Sequence, residues 1–301
     1  MNAITTHNLT RRFGRTEAVH GLNLDVPQGS VLALLGPNGA GKSTTLKLLM
    51  NLIAPTAGSA QVLGVDSRRL GEGERAQIGY VSENQQLPLW MTVRQLLDYC
   101  RPFYPTWDRE LEATLSRQFD LPAERKLKHL SRGMLMKAAL LSSLAYRPKL
   151  LVLDEPFSGL DPVVRDDFIR GVLEVSATGD WTVVVSSHDI EEVERLADHV
   201  AMLDAGRLRL SERTESLQAR FRRVEATDAA ATAVAPADCV DWNRSGALTR
   251  FVATRYAAGE SEREWSARLG TTDVRVQPMS LREIFMTLAR TPRATLREVE
   301  A

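Results

Sequence analysis

The apolar positions of this chain change period several times, and each change marks an element. Leu22, Leu24 and Val26 alternate ahead of the turn Pro27-Gln-Gly29, so residues 3–35 read as a small β region. Val31-Leu-Ala-Leu-Leu35 is a continuous apolar run, the pattern of a buried strand. Leu46, Leu48, Leu49, Leu52 and Ile53 then recur at helical spacing. Gln61–Asp66 and Ile78–Ser82 read as further strands. From 92 to 146 the strand pattern disappears, and Thr92–Arg101, Arg109–Phe119 and Ser131–Tyr146 read as helices separated by Pro102, Pro105 and Pro122. Strand character returns at Leu150-Leu-Val-Leu153, followed by a helix at Pro162–Val175, a strand at Thr182–Ser186 and a helix at Ile190–Ala197. Val200–Leu203 and Arg207–Leu210 read as a closing hairpin around Ala205-Gly206. This alternation predicts an α/β domain with a mostly parallel sheet, split by a helical insertion.

The last third carries a weaker pattern. Glu212–Arg223 reads as a short helix with Leu217 and Phe221 four apart, and Ala226–Asp238 as a low-complexity linker. Leu248–Thr254 and Asp273–Gln277 read as strands, Glu260–Leu269 and Ser280–Ala289 as helices, with Trp242, Phe251, Trp265, Ile284 and Phe285 as a modest core. The predicted division is a large domain over 1–210, a helix and linker over 211–238, and a small α+β accessory domain over 239–301.

Composition narrows the function classes. The chain has 301 residues, 44% of them hydrophobic, which is enough for a sizeable core. Basic and acidic residues balance at 38 each, and the arginines are scattered among acids, so no basic face for nucleic acid is expected. Cys100 and Cys239 lack metal-ligand spacing and fit a reduced cytosolic setting. No run of about 18 apolar residues occurs, and the N-terminus lacks the shape of a signal peptide, so a membrane role is expected to go through a partner.

The chemistry begins at Gly36-Pro-Asn-Gly-Ala-Gly-Lys-Ser-Thr44, between a predicted strand and a predicted helix. That is the context a phosphate-binding loop requires. Glycines let the backbone curl and aim successive N–H groups at one anion, and the positive end of the following helix points at the same place. Lys42 is then placed to reach the β- and γ-phosphates, and the Ser43 hydroxyl to ligate Mg²⁺. The strand Leu150–Leu153 runs into Asp154-Glu155, placing one carboxylate to hold Mg²⁺ through water and the next to activate a water for in-line attack. Two acids can also merely cap a strand, but a phosphate loop upstream favours the chemical reading. His188 follows the Thr182–Ser186 strand; a His at a strand end is usually structural or merely exposed, but at this strand it could reach a γ-phosphate as a hydrogen-bond donor. Ser131 is a natural N-cap for its helix, and Pro162 a natural first-turn residue after Ser158-Gly-Leu-Asp161. Phe13 offers a flat apolar face for a purine ring, although a lone Phe is more often core.

Taken in order, these motifs resemble the nucleotide-binding subunit of an ABC transporter across roughly residues 3–210. The resemblance implies a P-loop NTPase fold with an N-terminal antiparallel β subdomain and a helical subdomain, about 92–146, that carries the family signature. It implies ATP as substrate and Mg²⁺ as cofactor, with Phe13, Gly36, Asn38, Gly39, Gly41, Lys42, Ser43 and Thr44 binding the nucleotide. Ser43, Asp154 and Glu83 are the implied metal ligands, Glu155 and His188 the catalytic pair, and Asp161 the residue of the motif between them. Leu130-Ser-Arg-Gly-Met134 matches the family signature only in part: Arg132 replaces a Gly and Met134 replaces the Gln. The resemblance further implies a homodimer in which Ser131, Arg132 and Gly133 of one subunit close over the ATP of the other, a transmembrane permease as partner, and a place on the cytoplasmic face of the cell membrane.

Glu83 is the other departure, standing in Ile78-Gly-Tyr-Val-Ser-Glu83 where the family usually has a Gln. A carboxylate there ligates Mg²⁺ or contacts only the partner, and Arg132 of the opposite subunit is a candidate counter-charge. With Phe103-Tyr-Pro-Thr-Trp-Asp108, these variants resemble a subgroup of bacterial exporter ATPases. Two other classes use a phosphate loop. A soluble ABC-type ATPase of translation or DNA repair usually brings a second cassette, a coiled coil or a zinc insertion, and the sequence shows none of these. A P-loop kinase or GTPase leaves Ser131, Asp161 and His188 unexplained together, and no Asn-Lys-x-Asp motif occurs.

Overall fold

The continuous apolar runs become the interior strands of a six-stranded sheet in the computed structural model, which describes residues 1–176, 181–191, 193–230, 236, 238–257 and 262–291. The sheet runs in the order Arg207–Arg213, His199–Asp204, Val31–Leu35, Thr182–Ser187, Leu150–Asp154, Ile78–Ser82. The last five of these strands are mutually parallel. Every residue of Val31–Leu35, Leu150–Asp154 and Thr182–Ser187 is buried, as a sheet covered on both faces requires. The register pairs Leu35 with Ser187, Ser186 with Asp154, and Asp154 with Ser82. The loops after these four strands therefore leave one edge of the sheet side by side, and ligands of open α/β sheets bind at such carboxyl ends.

A second sheet packs on the first through a shared core that includes Ile4, Leu22, Val26, Leu34, Leu46, Val62 and Val152. It is antiparallel and runs Thr16–Leu22, Asn2–Phe13, Ala57–Val62, Val65–Asp66, with Asp25–Pro27 also paired to Asn2–Phe13. Phe13 pairs with Thr16 at the tip of the first hairpin, which carries the ring out of the core, and it is 47% exposed.

The 92–146 stretch forms the helices Val93–Cys100, Arg109–Gln118 and Arg132–Leu144. Each begins at a side-chain cap: Thr92 accepts from Gln95 N–H, Asp108 from Glu110 and Leu111 N–H, and Ser131 from Met134 N–H. Such a cap contributes about 1 kcal/mol. Tyr146 stacks on Tyr104 at 3.8 Å and donates its hydroxyl to Ile78 O at 2.8 Å, which fastens the insertion to the edge strand. The sequence pattern predicts a helix at 190–197, but the described residues there make turns, with Val193 and Glu194 both donating to Ile190 O.

The chain divides into two compact units, Met1–Ser211 and Glu212–Ala301. The second contains an antiparallel sheet ordered Cys239–Ser245, Leu248–Ala253, Arg222–Thr227, Val274–Pro278, with helices Thr214–Arg220, Glu262–Leu269 and Leu281–Arg290. Arg222–Thr227 lies where the pattern predicts a helix end and linker, yet it is an interior strand of this sheet. Only Val224 and Ala226 mark its buried face, and the charges between them mask the alternation. Residues 231–235 and 237 of the expected linker lie outside the described residues. Trp265, Phe251 and Ile284 are buried, Trp242 stacks on Phe251 at 4.9 Å, and Phe285 is half-buried.

Candidate nucleotide site

The loop between Val31–Leu35 and the helix Lys42–Leu49 is built from glycines that the packing demands. A Cβ on Gly36 would lie 2.4 Å from Leu203 O, and one on Gly41, whose φ is +103°, would lie 2.4 Å from Ala18 O. The loop thus lies flat against neighbouring backbone and opens on its other side to a cleft of about 530 Å³. Asn38, Gly39, Gly41, Lys42, Ser43 and Thr44 all line this cleft, with Phe13 among the lining residues, as are Glu83, Glu155, Ser158 and His188. A volume of this size accommodates a nucleotide-sized ligand.

Lys42 is buried, with its Nζ 2.7 Å from Gly36 O, 3.2 Å from Pro37 O and 3.0 Å from Glu155 Oε1. Glu155 Oε2 lies 2.8 Å from His188 Nδ1, so one carboxylate spans the lysine and the histidine. Glu155 also holds a left-handed backbone, φ +51°, which costs a non-glycine residue about 1–3 kcal/mol. Its N–H donates to Ser186 Oγ at 2.9 Å. Ser43 Oγ donates to Asp154 Oδ1 at 2.8 Å, and Ser186 Oγ donates to the same oxygen at 2.8 Å.

Glu83 is anchored by its backbone N–H to Asp154 O at 2.9 Å. Its Oε1 accepts from Ser158 Oγ at 2.7 Å and from Arg132 Nη2 at 2.9 Å. The counter-charge expected from an opposite subunit is therefore already present within one chain. The Ser158 hydrogen bond holds the Glu83 carboxyl below its ordinary 4.5; burial works against it, and the Arg132 guanidinium adds to the lowering. A carboxyl with a lowered pKa contributes stability that is complete above its unfolded value and is lost as pH falls through its folded value. Glu83→Gln is accordingly expected to lower Tm by about a degree or two at neutral pH, with the difference vanishing on acidification below 4.5. Thermal melts of both proteins across that range check it; a pH-independent difference would show that the Glu83 charge plays no part.

The remaining expected residues lie outside the cleft. Ser131 is exposed and caps its helix, and Asp161 accepts from Val163 and Val164 N–H at the start of the Pro162–Ser176 helix. Gly133 is buried against that helix, and a Cβ on it would lie 2.8 Å from Val164 Cγ1. Two residues not singled out from the sequence join the site: Ser158, on Glu83, and Ser186, between Asp154 and Glu155. A signal for Ser186 was present, since a hydroxyl at the end of the otherwise apolar run Val183–Val185 must find buried partners.

Ser43 and Asp154 offer hard oxygen donors of the kind Mg²⁺ takes. Among the described residues no cluster of three or more His, Cys, Asp or Glu side chains is grouped to hold a metal alone. An ion held by Ser43 and Asp154 would complete its coordination with substrate phosphates and water.

Residues 19–158 match the family model described as ABC transporter. The chain is 34% identical to the probable multidrug ABC transporter ATP-binding protein YbhF of Escherichia coli (strain K12) over 75% of its own length, and spans 39% of that relative. It is 33% identical to the sulfate/thiosulfate import ATP-binding protein CysA of Yersinia pseudotuberculosis, over 68% of this chain and 59% of the relative. A solved ATP-binding subunit of an ABC transporter, 27% identical, superposes with a TM-score of 0.65 over 72% of this chain and 92% of that one. The uncharacterized ABC transporter ATP-binding protein YhaQ of Bacillus subtilis (strain 168) is 32% identical across 74% of this chain and 76% of its own length. With that likeness along most of both chains, and the phosphate loop and Glu155 lining one cleft, this chain belongs to the family of ABC transporter ATP-binding proteins.

Proposed function

We propose that the chain is the ATP-hydrolysing subunit of a membrane transporter, acting as a homodimer on the cytoplasmic face of a transmembrane permease. The observation that carries the catalytic part is the convergence of Lys42, Glu155 and His188 within 3.0 Å contacts, beside the Ser43–Asp154 pair.

In this reading the β- and γ-phosphates take over the Lys42 ammonium from Gly36 O, Pro37 O and Glu155. Phe13 stacks on the adenine, and the loop N–H groups from Gly36 to Thr44 cradle the phosphates. Glu155, released from Lys42, accepts a proton as a water oxygen bonds to the γ-phosphorus and the bond from that phosphorus to the β–γ bridging oxygen breaks. ADP leaves with the bridging oxygen, and the proton ends on phosphate or solvent. His188 keeps one nitrogen on Glu155 and offers the other to a γ-phosphate oxygen. Mg²⁺ held by Ser43 and Asp154 would neutralise charge on the phosphates. Glu83 would be a further ligand to that ion, with its Oε1 now held by Ser158 and Arg132.

Exposed Ser131 and Arg132 are the groups we assign to the partner subunit's nucleotide. No helix among the described residues is long and apolar enough to cross a membrane, so the path across it is assigned to the permease. Exposed Leu52, Tyr99 and Phe103, beside a groove lined by Tyr80, Cys100 and Tyr104, form the face we assign to permease docking. Export is the direction we favour, on the likeness of Phe103–Asp108 and the signature variants to exporter ATPases. Purified chain reconstituted with its permease in vesicles is expected to hydrolyse ATP, to stop when Mg²⁺ is chelated, and to move substrate away from the ATP side. Hydrolysis that persists without Mg²⁺ would overturn the metal assignment, and movement toward the ATP side would overturn the direction.

A further inference from the structure

Ser186 lies directly across from Asp154 in the parallel register and is fully buried. A serine hydroxyl carries one proton and two lone pairs. Here the polarity follows from the partners, because a backbone N–H only donates, so the serine oxygen accepts there and its one proton is left for the carboxylate. The Ser186 proton goes to Asp154 Oδ1 at 2.8 Å, and its oxygen accepts Glu155 N–H at 2.9 Å. Ser43 Oγ donates to the same Asp154 oxygen, so a directed chain runs from Glu155 N–H through Ser186 to Asp154 and meets Ser43 there. The adjacent Ser187 differs: its hydroxyl bonds Asp189 O and N–H in a local turn.

We propose that Ser186 is a positioning residue for ATP hydrolysis, fixing the left-handed backbone of Glu155 and the orientation of Asp154 with a single hydroxyl. The proposal rests on the ATPase reading above. The left-handed φ of Glu155 directs its side chain into the cleft, where Oε1 meets Lys42 and Oε2 meets His188. The N–H bond to Ser186 is what resists rotation of that peptide toward an ordinary conformation. Once the phosphates take Lys42, Glu155 loses its strongest side-chain anchor, and the backbone tie keeps the carboxylate aimed at the attacking water. A displacement of about 1 Å at such a group costs up to a hundredfold in rate. Nucleotide binding does not depend on that aim, so the effect falls on turnover.

The test compares Ser186→Ala, Ser186→Thr and Ser186→Val in the full chain, with its permease where hydrolysis requires it. Thr keeps the hydroxyl, while Val has the same bulk without it. Ala and Val are expected to lower kcat by about tenfold or more, with ATP affinity within about twofold of wild type, and Thr to retain most of the activity. Hydrogen exchange gives a readout apart from catalysis: the Glu155 amide loses protection in Ala and Val and keeps it in Thr. Wild-type kcat in Ala, equal impairment in Thr and Val, or unchanged protection in Ala would each overturn the assignment. A parallel loss of affinity and turnover would do the same. Wild-type protein that binds ATP but never hydrolyses it would instead overturn the ATPase reading, and this proposal with it.

Discussion

Glu155→Gln is expected to slow ATP hydrolysis by about three orders of magnitude while leaving ATP affinity within about twofold, so that an ATP-bound dimer accumulates. Gln has the same shape and reaches the same two partners. It neither takes a proton from water nor carries the charge that now pairs with Lys42 at 3.0 Å and His188 at 2.8 Å. The first loss removes the general base, an effect of about 10²–10⁴. The second frees Lys42 for phosphate, so affinity is expected to hold or rise. Slow hydrolysis with intact binding leaves ATP in place as a bridge between two subunits, and mass action then favours the dimer. Size-exclusion chromatography at saturating ATP and Mg²⁺, with single-turnover rates on the same samples, checks both halves. A rate within tenfold of wild type would remove Glu155 from the catalytic role, and a monomer under those conditions would remove the ATP-bridged dimer.

The candidate cleft was legible in the sequence because its parts are backbone-dictated. Glycines at 36, 39 and 41, a buried strand before them and a helix after them leave few alternatives, and the Leu150–Asp154 run ends where its carboxylates must emerge. The register that sets Asp154 beside Ser186 and Ser82 was not legible, because parallel pairing joins segments far apart in the chain. The partners of Ser186 come from that pairing and not from its neighbours in the chain. The C-terminal unit was harder still. Arg222, Arg223 and Glu225 hide the alternation of an interior strand whose buried face is only Val224 and Ala226.

Arg132 shows a different limit. Sequence paired it with Glu83 only across two subunits, and nothing in the spacing of 49 positions indicated that the two meet within one chain. They do so because the loop after Ile78–Ser82 and the start of the Arg132–Leu144 helix converge near Ser158-Gly159. Gly159 leaves room for the guanidinium: a Cβ there would lie 3.0 Å from Arg132 Nη1. In the proposed dimer, engagement of Arg132 with a partner's nucleotide would compete with an ion pair inside its own chain. That pair is partly exposed, so the competition is modest.

Lys42 and Glu155 form a tighter pair, and breaking it from one side is expected to have two separable consequences. Their side chains are 5% and 11% exposed, and removing one partner of a buried pair costs about 3–5 kcal/mol because the other charge stays behind without compensation. His188 remains on Glu155 Oε2, which places Lys42→Met at the lower end, a fall in Tm of about 5–10 °C. The same substitution deletes the cation that the phosphates need, so ATP affinity is expected to fall by about a hundredfold or more. Glu155→Gln added to Lys42→Met removes the stranded charge. The double variant is therefore expected to regain most of the lost Tm and none of the lost affinity. Differential scanning calorimetry and nucleotide titration of the two single variants and the double variant close the cycle. Additive losses in Tm would show that the two groups do not support each other in the folded chain, and restored ATP binding in the double variant would show that Lys42 serves only to neutralise Glu155.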